Sequence, residues 1–142
     1  MADQTRDSIE IAAPPEEVMA VLADVEAYPE WVDNMKSVTI LTSHPDGKPD
    51  EVEIILDHAL VKDQYTLSHA WTPTGLSWHL VRGNLLKAMD GSYELEPSAK
   101  GTKATYALSV DVNMPMIGMF RRKAEKTIIE GALKGLKRRV EG

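Results

Sequence analysis

From Met116 to Gly142 the apolar positions recur at helical spacing in two adjacent stripes. Ile117, Phe120, Ala124 and Ile128 make one, and Ile129, Leu133, Leu136 and Val140 the other. This predicts one long amphipathic helix, Met116–Val140, with a broad apolar side. Upstream the period changes to two. Ser8 to Ile11 alternates and reads as a strand. Pro14-Pro15-Glu16-Glu17 then starts a helix, with proline in the first turn and carboxylates at its positive end. Val18, Val21, Leu22 and Val25 form its buried face. Pro29 interrupts it, so a second short helix is expected over Tyr28 to Val32.

Between residues 35 and 112 the chain reads as strands. Ser37–Thr42 leads into a turn by composition, His44 to Pro49. Glu51–Ala59 places Val52, Ile54, Leu56 and His58 on one face, and Gln64–Thr72 places Tyr65, Leu67, His69 and Trp71 together. Leu76, Trp78 and Leu80 share a face in the next strand, then Met89, Gly91, Tyr93 and Leu95. After a turn at Pro97–Gly101, Ala104, Tyr106, Leu108, Val110 and Val112 close the series. Regular turns between segments of period two predict an antiparallel meander with one apolar face.

The charge pattern changes the picture little. The net charge of −6 divides unevenly: residues 1–120 hold 8 Lys/Arg against 19 Asp/Glu, and residues 121–142 hold 8 against 3. The basic residues are read as the solvated face of the last helix, those late in it complementing its negative end. The acidic body would repel phosphate, so no nucleic-acid partner is expected. A transient membrane contact is kept as an alternative use of the basic helix. The chain has no cysteine, which excludes disulfides, thiol catalysis and cysteine metal sites. Its length suits one domain spanning 1–142, and the polar, acidic start is read as that of a cytoplasmic protein.

Four stretches carry a resemblance to a known family. They are Ala13 to Val18; Asp24 to Trp31 (Asp-Val-Glu-Ala-Tyr-Pro-Glu-Trp); Gly91 to Pro97; and Gly101-Thr102 to Tyr106 with the final helix. Together with the element order, they resemble the START-like (SRPBCC) superfamily in its polyketide cyclase/dehydrase and coenzyme-Q-binding branch, of actinobacterial type. The resemblance implies an α+β helix-grip fold of the birch-pollen-allergen kind. A curved antiparallel sheet of six to seven strands would surround the long C-terminal helix, with two short helices after the first strand. It also implies a hydrophobic cavity between sheet and helix for a small-molecule ligand such as a lipid, quinone or polyketide.

The lining this implies is Leu56, His58, Leu67, His69, Trp78, Leu80, Met89, Tyr93, Tyr106 and Leu108 from the sheet, with Phe120, Ala124 and Ile128 from the helix. Trp31 and Met35 would stand near the mouth. Aromatic side chains of this kind also build ordinary cores. Histidine and tyrosine are the residue types that could move protons in an aldol cyclisation or dehydration. His58 and His69, however, have neither a nucleophile nor metal-ligand spacing around them, and a lone strand histidine is commonly a hydrogen-bonded structural group. No residue is therefore assigned a catalytic role, no metal or cofactor is expected, and the binder is favoured over the cyclase/dehydratase. Three glycines in the last helix, Gly118, Gly131 and Gly135, point to close packing or to room for a ligand.

Overall fold

The computed structural model describes residues 4–57, 62–112 and 118–142, with side chains in the last segment from Arg121 onward. Its elements follow the order read from the pattern. They are β1 (Thr5–Ile11), α1 (Pro15–Ala23), a 3-10 helix (Val25–Glu30), β2 (Met35–Ile40), β3 (Glu51–Asp57), β4 (Lys62–Thr72), β5 (Gly75–Gly83), β6 (Leu86–Ser98), β7 (Gly101–Val112) and α2 (Gly118–Glu141). The second short helix starts three residues earlier than expected and contains Pro29. A ring that lacks an N–H is tolerated there because so short a helix has few internal hydrogen bonds to lose.

All seven strands form one antiparallel sheet in the order β1-β7-β6-β5-β4-β3-β2. Consecutive strands from β2 to β7 are neighbours, and β1 returns to pair with β7 from Thr5↔Leu108 to Ile11↔Thr102. The register aligns the inward positions across the sheet: Val52↔Leu67, His69↔Trp78, Trp78↔Gly91, Tyr93↔Tyr106 and Leu95↔Ala104. One concave apolar face results, as the strand parity requires.

The long helix packs over β1, β7 and α1, while the 3-10 helix packs over β2. Ile129, Ala132, Leu133 and Leu136 of α2 are buried and join Ile11, Val18, Leu22, Leu95 and Leu108 in the main core. The C-terminal end of α2 is tied to the turn after β1. Lys137 Nζ donates to Glu10 O at 2.9 Å and to Glu141 Oε2 at 2.5 Å, and Glu141 Oε2 also accepts the Ala12 N–H at 2.8 Å.

The buried face of α2 also contains Glu125, which is only 1% exposed. Its Oε1 accepts from Thr5 Oγ1 at 2.6 Å and its Oε2 from the Val110 backbone N–H at 2.7 Å. Among the described residues the β1–β7 register runs from Thr5↔Leu108 to Ile11↔Thr102, and Val110 lies two residues beyond Leu108. The carboxylate satisfies its buried N–H.

Candidate functional site

The concave face is aromatic at its centre. Trp78 stands between His69 at 6.1 Å, Tyr93 at 5.7 Å and Tyr106 at 5.5 Å, measured between ring centroids, and the two tyrosines are 4.6 Å apart. Four strands, β4 to β7, each supply one ring. Trp78 can lie flat because its cross-strand partner is Gly91: a Cβ at that position would meet the indole at 2.3 Å. Trp71 stacks on His69 at 6.1 Å and donates its indole N–H to Pro49 O at 2.7 Å.

His69 is buried, and its Nδ1 lies 3.1 Å from Asp50 O, a carbonyl that also accepts the His69 backbone N–H at 2.9 Å. A carbonyl can only accept, so Nδ1 carries the proton and Nε2 keeps a lone pair. Burial pushes the His69 pKa below its ordinary value of 6.5, outweighing the opposing effect of Asp50. The neutral ring is the folded form, which makes stability pH-dependent. Above pH 6.5 the ring is neutral whether the chain is folded or unfolded. Between that value and the lowered one, only the unfolded chain takes up the proton, so stability falls as the pH falls. Replacing the ring should remove this part of the slope. Urea midpoints are to be compared between pH 7.5 and 5.5, and that of wild type is expected to fall relative to that of His69→Phe as the medium is acidified.

The phenols are held neutral too. Burial raises the pKa of Tyr28, Tyr65, Tyr93 and Tyr106, and neighbouring groups add to it: Tyr106 and Tyr28 on Tyr93, Tyr65 and Tyr28 on Tyr106, Asp24 on Tyr28 and Asp63 on Tyr65. Their hydroxyls can donate hydrogen bonds but do not supply a phenolate base.

Among the expected lining residues, Leu67, His69, Tyr93, Tyr106 and Leu108 are buried on the concave face. Leu56, Trp78, Leu80 and Met89 are on the same face but only half-buried. Two helix positions differ from expectation. Ala124 is exposed and Ile128 is 44% exposed. The neighbouring stripe through Ile129, Leu133 and Leu136 is the one pressed on β1 and β7, with Glu125 among it. Ile128 is turned about 100° from Ile129, enough to leave that contact. It falls seven residues before Gly135, on the face that meets Trp31, two turns nearer the start of α2. His58 and the side chain of Phe120 lie outside the described residues. Val81 and His79 point to the outer face and are exposed. Tyr65 and Trp71 complete the wall on β4; the same parity that selected Leu67 and His69 identifies them.

Two anchoring carboxylates have no counterpart in the expected site. Besides Glu125, Asp63 accepts the backbone N–H groups of Asn84 (3.2 Å), Leu85 (3.1 Å) and Leu86 (3.0 Å), which fixes the β5–β6 turn beside Leu86 and Met89. No group of His, Asp or Glu residues among the described ones could hold a metal ion. No helix among them is long and apolar enough to cross a membrane.

A long helix held against a curled seven-stranded antiparallel sheet, with two short helices after the first strand, is the helix-grip fold of the START-like superfamily. The chain belongs to the family described as polyketide cyclase/dehydrase and lipid transport, whose model matches residues 11–137. Solved structures agree on the fold. A START superfamily protein from Mycobacterium smegmatis has a TM-score of 0.91 at 22% identity, covering 99% of this chain and 98% of that one. The Zhui aromatase/cyclase from Streptomyces sp. R1128 has a TM-score of 0.80 at 16% identity, over 97% and 93%. Ara h 8.0201 has a TM-score of 0.73 at 13% identity, over 97% of both chains. No curated protein matches the chain.

Proposed function

We propose that the protein binds a hydrophobic small molecule, of lipid, quinone or polyketide type, between the concave sheet and α2. One observation carries this reading. Leu56, Trp71, Trp78, Leu80 and Met89 all face inward yet are only half-buried, so the concave face over β3 to β6 presents apolar surface that the described residues do not fully cover. The helix packs on β1 and β7, at one side of the sheet. An apolar wall with a few neutral hydroxyls and a neutral imidazole is the usual construction of a small-molecule site.

Filling the wall tests this. Leu80→Trp adds bulk at a half-buried inward position and should weaken uptake of the neutral fluorescent probe N-phenyl-1-naphthylamine at least tenfold, while the melting temperature changes little. Overpacking a closed core would instead cost about 1–3 kcal/mol. Undiminished uptake by a folded variant would place the probe elsewhere and overturn the reading.

The family description supports a second reading, a polyketide cyclase or dehydratase, and the aromatase/cyclase from Streptomyces shares the fold. The observation in its favour is the unprotonated Nε2 of His69 within the aromatic cluster, a neutral base of the kind such proton transfers use. Turnover of linear poly-β-ketone mimics that falls about 10²–10⁴-fold in His69→Ala would establish it. Binding without turnover across such a panel favours the carrier.

A further inference from the structure

Trp31 caps the 3-10 helix and is 9% exposed, within the same core cluster as Tyr93 and Tyr106. Its ring packs edge-on to Tyr28, at 5.1 Å between centroids, and its Cε3 side lies toward α2, where a Cβ on Gly135 would come within 3.4 Å. Nε1 is on the opposite edge of the indole. Among the described residues, it is the one buried side-chain nitrogen or oxygen without a hydrogen-bond partner. The indole N–H of Trp71, by contrast, is matched within the chain, to Pro49 O. Buried donors are almost always paired, so an unmatched one in the cluster that also holds Tyr93 and Tyr106 points to an acceptor from outside the chain.

The chemistry of that acceptor can be narrowed. The buried polar residues among those described are Asp63, Thr66, His69, Thr102 and Glu125, which include two carboxylates and no lysine or arginine. A ligand carboxylate would be desolvated there without a counter-charge. A neutral carbonyl oxygen has no such penalty, and the cluster of Trp78, Tyr93 and Tyr106 favours a flat aromatic body attached to it. Resting on the binding reading above, we propose that Trp31 is the residue that selects carbonyl-bearing ligands, its indole N–H donating to a ketone oxygen on an aromatic molecule.

A matched pair of probes tests this: 2-acetylnaphthalene and 2-ethylnaphthalene, which differ by a carbonyl in place of a methylene. Each is titrated into wild type and into Trp31→Phe, which keeps an aromatic ring and removes the donor. The ketone-to-hydrocarbon affinity ratio should fall about 3- to 10-fold in the variant, the worth of one net hydrogen bond. Comparing ratios cancels the different hydration of the two probes. Wild-type protein supplies a second measurement that does not depend on the variant folding. The assigned Trp31 indole ¹H–¹⁵N resonance should move downfield with the ketone and far less with the hydrocarbon. Both probes bound with an unchanged ratio, or an indole resonance indifferent to the carbonyl, would overturn the role of Trp31 alone. Neither probe bound by wild type would overturn the binding reading together with it.

Discussion

Glu125→Ala is expected to destabilise the protein by about 3–4 kcal/mol, among the largest losses any single side chain here should produce. The carboxylate is 1% exposed and accepts two hydrogen bonds, from Thr5 Oγ1 and the Val110 N–H. Hydrogen bonds to a charged group are worth about 1.5–3 kcal/mol each, and a buried N–H left unmatched adds a penalty of its own. Against this stands the desolvation of the carboxylate, which its removal relieves, so the net is placed near the lower end of the summed range. Glu125→Gln separates the two contributions. Its carbonyl oxygen can still accept from Val110, and its amide can donate to the Thr5 hydroxyl oxygen, so a loss of only about 1–2 kcal/mol is expected. In thermal melts, a loss of the size expected for alanine corresponds to a drop on the order of 10 °C for a chain of this size. An alanine variant within about 1 kcal/mol of wild type would mean that desolvation cancels both bonds, and that the carboxylate does not hold β1, β7 and α2 together.

Glu125 also shows where reading the sequence reaches its limit. A strand offers only two faces, so the alternation of Leu67, His69, Trp78, Tyr93, Tyr106 and Leu108 fixes their direction at once, and the register bears it out. A helix offers a continuous range of directions. Two apolar stripes beside each other on α2 gave the periodicity no means of choosing between Ile128 and Ile129. The stripe that packs is interrupted by a glutamate, and that polar residue makes it look like the less buried of the two. What decides the matter is a non-local fact: the Val110 N–H takes its acceptor from across the core, in the Glu125 carboxylate. Trp31 is a similar case. The chain reveals an aromatic residue after a short helix, but whether its N–H finds a partner depends on distant parts of the chain packed around it, α2 at Gly135 among them.

The family resemblance read from the four sequence stretches carries the fold well and the chemistry weakly, for a physical reason. Those stretches include helix starts, turns and close-packing positions such as Gly91, which makes room for Trp78. Apart from Trp31, for which a ligand contact is proposed above, most of their residue types answer to backbone and packing constraints that any cargo would leave in place. On the binding reading proposed above, further selectivity would fall to half-buried inward side chains, which can change without disturbing the fold. Leu56, Leu80 and Met89 are of that kind.

The same substitution at two places on α2, Gly131→Ala and Gly135→Ala, should change stability in opposite directions. Ordinarily alanine is favoured over glycine within a helix by about 0.5–1 kcal/mol, because glycine loses more backbone freedom on folding. At Gly131 a Cβ would meet nothing within 4 Å, so the full gain is expected. At Gly135 it would lie 2.3 Å from the Trp31 backbone oxygen, and a main-chain atom cannot move aside as a flexible side chain can. Relief requires α2 and the end of the 3-10 helix to separate, at an expected net cost of about 2–3 kcal/mol. The two alanine variants should therefore differ by about 3 kcal/mol in urea unfolding, although both positions lie in the interior of α2, about one turn apart. Because that separation would shift Trp31, Gly135→Ala should also weaken binding of 2-acetylnaphthalene, and Gly131→Ala should leave it unchanged. Equal stabilisation by both would show that α2 does not approach Trp31 this closely, and would remove the packing on which the indole's placement depends.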